Sequence, residues 1–92
     1  MLTEIVYKYE LTSEVTRLVL PKGAKILHAG IQRNITYLWV LVELGKEVET
    51  REFIQFTTGE QMESPDLSFI GTVFLFEGAL VYHIFEHHLE TN

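Results

Sequence analysis

Residues 35–42, Ile35-Thr36-Tyr37-Leu38-Trp39-Val40-Leu41-Val42, carry one purely polar side chain in eight positions. In a strand, successive side chains point to opposite faces. One face would hold Ile35, Tyr37, Trp39 and Leu41, the other Leu38, Val40 and Val42. Both are apolar, so the strand calls for cover on both sides. A chain of 92 residues has little material to supply it alone. The segment constrains architecture and assembly, and it says little about chemistry.

The remaining punctuation is regular. Residues 3–11 alternate, with Ile5, Tyr7, Tyr9 and Leu11 opposite Glu4, Lys8 and Glu10, the pattern of a half-exposed strand. Residues 14–20 end at Pro21-Lys22-Gly23-Ala24, a turn in which proline presets φ and glycine accepts positive φ. Residues 25–32 reach Arg33-Asn34, where asparagine suits the left-handed conformation of a hairpin. The apolar strand stops at Gly45-Lys46. Residues 48–58 follow, with Glu49, Arg51, Gln55 and Thr57 on one polar face. Residues 60–68 form the one long break, and Ser64-Pro65-Asp66 excludes a central strand there. Residues 69–76 and 79–87 are joined by Glu77-Gly78, a hairpin signal, and a polar tail begins at about residue 88. Residues 10–19 are the main competitor for helix, but Val15, Thr16 and Val19 favour strand. The spacing predicts a single all-β domain over 1–92, an antiparallel β-sandwich or small barrel of six to seven strands.

Composition narrows the function classes. Thirteen acidic against seven basic residues give a net charge of −6, which disfavours general nucleic-acid binding. A small anionic ligand stays open, because a pocket needs only two or three local positive charges. Cysteine is absent, which fits a reducing compartment. No signal peptide and no membrane-length apolar run are seen, so a cytoplasmic protein without membrane association is expected.

Several pieces follow one another in a set order: Ile5-Val6-Tyr7-Lys8-Tyr9, Leu20-Pro21-Lys22-Gly23-Ala24-Lys25-Ile26-Leu27, and Leu38-Trp39 with Leu41-Val42. Then come Glu49-Thr50-Arg51-Glu52-Phe53, Thr58-Gly59, Phe69-Ile70-Gly71-Thr72, and Gly78-Ala79-Leu80-Val81-Tyr82-His83-Ile84-Phe85-Glu86. In this order the chain resembles a family of short uncharacterised bacteriophage and prophage proteins, over almost its whole length. The resemblance implies a compact β-rich fold and phage origin, with the host cytoplasm as its location. It carries no reaction and no catalytic residue.

No catalytic constellation stands out. Ser13, Ser64 and Ser68 lie near turns, outside any nucleophile elbow. Glu43, Glu47, Glu49, Glu52, Glu60 and Glu63 read as solvated strand faces. Thr57-Thr58-Gly59 lacks the remainder of a phosphate loop. His83 and His87 share a strand face, and His28 and His88 are further histidines. The simpler reading is one hydrogen-bonded strand histidine and two exposed tail histidines. No enzyme, metal or cofactor is expected.

Arg51 is the best candidate for ligand recognition, since a guanidinium presents a planar donor fork to carboxylate or phosphate. Trp39 or Tyr82 would add stacking, and His83 a polar contact. The competing reading pairs Arg51 across strands with a glutamate such as Glu43, and keeps Trp39 in a core or interface. Two functions remain. One is a phage-encoded, non-enzymatic binder that counters host defence, by sequestering a small anionic, nucleotide-type signal or by inhibiting a host protein. The other is a structural or accessory homo-oligomer with no small-molecule ligand. A homo-oligomer is expected under either, because the apolar surplus needs a second copy to cover it.

Overall fold

The alternating segments form seven strands: β1 (Glu4–Glu10), β2 (Val15–Pro21), β3 (Lys25–Gln32), β4 (Ile35–Glu43), β5 (Val48–Thr57), β6 (Leu67–Leu75) and β7 (Leu80–His87). They are seen in a computed structural model that describes residues 3–89. All pairings are antiparallel. They build a three-stranded sheet, order β1-β4-β3, and a four-stranded sheet, order β2-β5-β7-β6. The fold is all-β, as the period-two patterning predicts.

The turns follow their residue chemistry. Gly23 takes a φ of 81° and the Ala24 N–H closes the turn on the Pro21 carbonyl. Arg33 and Asn34 both adopt left-handed φ, the geometry of a tight β3–β4 hairpin. The β6–β7 hairpin is present but longer than a two-residue loop. Phe76–Gly78 forms a 3-10 turn in which Phe76, Glu77 and Gly78 all have positive φ. The Asn34 side chain accepts the Phe76 N–H at 2.9 Å, so the two hairpin tips brace each other.

The core lies between the sheets. Leu38, Val40 and Val42 of β4 are buried against Leu20 of β2, Phe53 of β5, Val73 and Leu75 of β6, and Ile84 of β7. Leu11 and Ala24 complete the cluster. On β5 the inward residues are therefore Arg51, Phe53 and Gln55, the side that reads as polar in the sequence. Ile54 and Phe56 point the other way, yet both are buried.

Topology sends a connection across the same side of the sheet. β5 and β6 both run antiparallel to β7 and flank it, so they are parallel to each other. Residues 58–66 must carry the chain from Thr57, beside Tyr82, to Leu67, beside His87. Sheet β1-β4-β3 occupies the inner side, so this connection crosses β7 on the outer side. Nine extended residues reach about 30 Å, ample for that crossing. Underneath, Phe85 makes edge contacts with Phe56 and Phe69 at ring separations of 5.8 and 5.4 Å.

Phe53 is the largest fully buried side chain. Truncating it leaves a cavity that rigid paired sheets fill only in part, so Phe53→Ala is expected to cost about 3–5 kcal/mol. Urea unfolding followed by tryptophan fluorescence would measure it.

Candidate functional site

Arg51 sits at one open end of the sandwich, pointing inward. Its Nε donates to Glu86 Oε2 and its Nη2 to Glu86 Oε1, each at 2.7 Å, while Nη1 donates to the Ala24 carbonyl of the opposite sheet. This is a two-pronged guanidinium–carboxylate pair that also ties the two layers together. Glu86 is only 9% exposed. The pairing holds the guanidinium in its charged form, raising its pKa chiefly through the hydrogen bond with Glu86. The partner is the inward glutamate of β7, not a surface residue such as Glu43. Glu43 instead lies near Lys46, at 3.5 Å.

Two clefts open on either side of this pair. One, of about 500 Å³, is lined by residues including Ala24, Leu27, Ser68, Phe69, Arg51 and Glu86. The other, of about 320 Å³, is lined by Glu49, Arg51, Glu86, His87 and His88 among others. In the smaller cleft Glu49 and Glu86 surround a guanidinium that is already engaged, a poor charge balance for an anion. The larger cleft adds Lys25, but its guanidinium is the same one, already paired with Glu86.

Behind Arg51, on the outer face of the same sheet, a polar row crosses three strands. Glu52 lies opposite Arg17 on β2 and opposite His87 on β7. Its Oε1 accepts from Arg17 Nε at 2.9 Å, and its Oε2 is 2.6 Å from His87 Nδ1. At 6% exposure Glu52 is no solvated strand-face residue. The His87 hydrogen bond, and then Arg17, hold its carboxyl below the usual glutamate range against the opposing effect of burial. His87 is accordingly a strand residue rather than part of an exposed tail, and His88 Nε2 lies 2.6 Å from the Ser68 hydroxyl. Among the described residues no three metal-ligating side chains converge.

The other residues singled out in the sequence lie elsewhere. His83 points outward from β7, with Thr72 Oγ1 2.9 Å from Nδ1 and Thr58 Oγ1 2.8 Å from Nε2. Two hydroxyls thus satisfy both ring nitrogens. Tyr82 points inward and packs on the core. It borders a cleft of about 270 Å³ at the opposite end from Arg51, with Gln55, Ser13, Glu10 and Glu14. There Gln55 donates to the Ser13 carbonyl at 2.9 Å, while its buried Oε1 has no partner among the described residues. Trp39 lies on the outer face of the three-stranded sheet. Arg51, Trp39, Tyr82 and His83 therefore do not converge on one pocket.

Trp39 belongs to a different arrangement. Its ring lies across β3 over Gly30, where an added Cβ would come within 3.2 Å of the indole. Tyr37 and His28 flank it at ring separations of 6.1 and 5.8 Å. Lys8 stands 4.5 Å above the Tyr37 ring and donates to Gln32 at 2.7 Å. With Val6, Ile35 and Leu41 these side chains form an apolar and aromatic face with no covering layer among the described residues. Its signal in the sequence is the doubly apolar β4.

Residues 2–92 match the family described as Domain of unknown function (DUF7352). The chain belongs to that family. No curated protein and no solved structure matches it. No helix among the described residues is long and apolar enough to cross a membrane.

Arg51→Ala strands the Glu86 carboxylate in the sheet interior and is expected to destabilise the fold by about 3 kcal/mol. An Arg51→Met/Glu86→Leu double variant, which removes both charges, should recover most of that loss in the same denaturation assay. Glu52 adds a pH term. Its pKa is lower folded than unfolded, so its stabilisation is present above the ordinary carboxylate range and disappears as pH falls through the folded value. The stability gap between wild type and Glu52→Gln should hold at pH 7 and close below about pH 4. Paired urea titrations across that range would show it.

Proposed function

We propose that this chain is a non-catalytic binding protein whose working surface is the Tyr37–Trp39 face of the three-stranded sheet, and whose partner is a protein. The observation that carries this reading is the aromatic face itself. Tyr37, Trp39 and Leu41 alternate with the fully buried Leu38, Val40 and Val42, so they point outward because the interior is already filled. Half-buried aromatics ringed by Lys8, His28 and Gln32 have the composition of an interface centre with a polar rim.

A protein partner is better supported than a small anion. Arg51 is committed to Glu86 and Ala24, and the aromatic and histidine candidates face three different directions. The net charge of −6 adds a long-range preference for a basic partner surface. Taken with the resemblance to short bacteriophage proteins, this supports a phage-encoded inhibitor of a host protein acting in the host cytoplasm. A nucleotide sponge and a purely structural oligomer stand behind it.

The test is affinity purification of the tagged protein from its host, with Trp39→Ala alongside, followed by mass spectrometry for proteins and small molecules. A stoichiometric protein partner retained by wild type and weakened about 30-fold or more by Trp39→Ala is the expected result. A co-purifying nucleotide that survives Trp39→Ala would overturn the reading, as would a partner indifferent to that substitution.

A further inference from the structure

Four strands end the two sheets: β1 and β3 on one, β2 and β6 on the other. An unpaired edge is a template for another chain unless something interrupts it. β3 carries a bulge between Ile26 and His28, and β6 one between Phe69 and Gly71. β2 closes with Pro21, which has no N–H to offer. β1 has neither device and pairs in unbroken register from Glu4 to Glu10.

The direction of its backbone groups can be read from the ends of the β1–β4 ladder. Thr3 accepts the Leu44 N–H, and the Leu11 N–H donates to Thr36. Odd-numbered residues of β1 therefore turn their N–H and C=O toward β4. Glu4, Val6, Lys8 and Glu10 turn theirs to the open side. β1 also overhangs the other sheet: Ile5 and Tyr7 point to the inner side, yet are 38% and 43% exposed.

We propose that β1 is a self-pairing edge, joining two copies of this chain about a two-fold axis into one six-stranded sheet. Antiparallel pairing through the open-side groups sets even-numbered residues of one copy against even-numbered residues of the other. Charge and overlap select among the registers that remain. Centring on Tyr9 would oppose Lys8 and Glu10 but pairs only residues 8–10 of β1, and centring on Ile5 leaves Glu4 against Val6 with no charge pair. Centring on Lys8 puts lysine against lysine, and centring on Tyr7 puts Glu4 against Glu10, both unfavourable. Centring on Val6 puts Glu4 against Lys8 of the second copy, twice by symmetry, with Ile5 against Tyr7 on the overhanging inner side. Glu4 otherwise faces the like charge of Glu43 across the β1–β4 pair, and it makes no ion pair among the described residues.

The pairing deepens the reading of the Trp39 face without depending on it. Both copies would present Tyr37 and Trp39 on the same side of the extended sheet. The two β4 strands would lie about 14 Å apart, three strand spacings. One partner surface could then be gripped by both.

Light scattering on the full chain tests the pairing. Wild type is expected at twice the 10.7 kDa chain mass at micromolar concentration. Val6→Pro removes an open-side N–H that β4 does not use, and should yield a monomer with an unchanged β-sheet circular dichroism spectrum. Glu4→Lys and Lys8→Glu should each weaken self-association at least tenfold, and mixing the two variants should restore a heterodimer through two opposite-charge pairs. These surface changes keep the test available if the proline variant fails to fold. Trp39→Ala should leave the mass unchanged, which separates this proposal from the one about the partner face. A monomeric wild type, a dimer unaffected by the β1 substitutions, or charge variants that do not rescue each other would overturn it.

Discussion

A two-sheet sandwich has one interior, and this sequence has four apolar faces to dispose of. Leu38, Val40 and Val42 meet Leu20, Phe53, Val73 and Ile84 in that interior, which uses one face of each sheet. The outer face of β5 and β7, with Ile54, Phe56 and Phe85, must find cover elsewhere. So must the outer face of β4. The rest of the structure follows from how these two surpluses are handled.

The chain handles them differently. On the four-stranded sheet, Phe85 packs edge-on between Phe56 and Phe69, and the β5-β7-β6 strand order routes the 58–66 connection across β7. A polar, proline-containing stretch with few apolar side chains suits an outer strap, because its solvent side stays wet. Over β4 it lays only side chains: the Trp39 ring across Gly30, and Lys8 across Tyr37. That cover is thin. It leaves an aromatic face on the side of the sheet where β1 also leaves an open backbone edge.

Charged groups finish the ends of the sandwich, where apolar packing stops. Arg51 and Glu86 occupy inward positions that a longer core would fill with aliphatic side chains. Arg51 reaches across to the Ala24 carbonyl as well, which links the layers at a defined spacing. Arg17, Glu52 and His87 instead tie three adjacent strands of one sheet together on its outer face. Breaking one member of such a set costs more than the set contributes, because the survivor stays buried and unpaired. This supports a role in specifying the arrangement of the sheets.

Strand positions, turn residues and the β6–β7 hairpin were legible in the sequence because they depend on local chemistry: period-two alternation, Pro21 with Gly23, and Asn34 in left-handed conformation. The two-faced character of β4 was legible for the same reason. Which face of β5 turns inward was not. Arg51, Gln55 and Thr57 outnumber Phe53 on that side, while Ile54 and Phe56 make the opposite side read as the apolar one. The partner of Arg51 was equally hidden. Glu86 lies 35 residues away and reaches it only through the register of β5 against β7. Local patterning determines that a residue lies in a strand and which neighbours share its face. Strand order and sheet packing decide what that face meets, because pairing across the fold is a long-range choice that short-range periodicity does not encode.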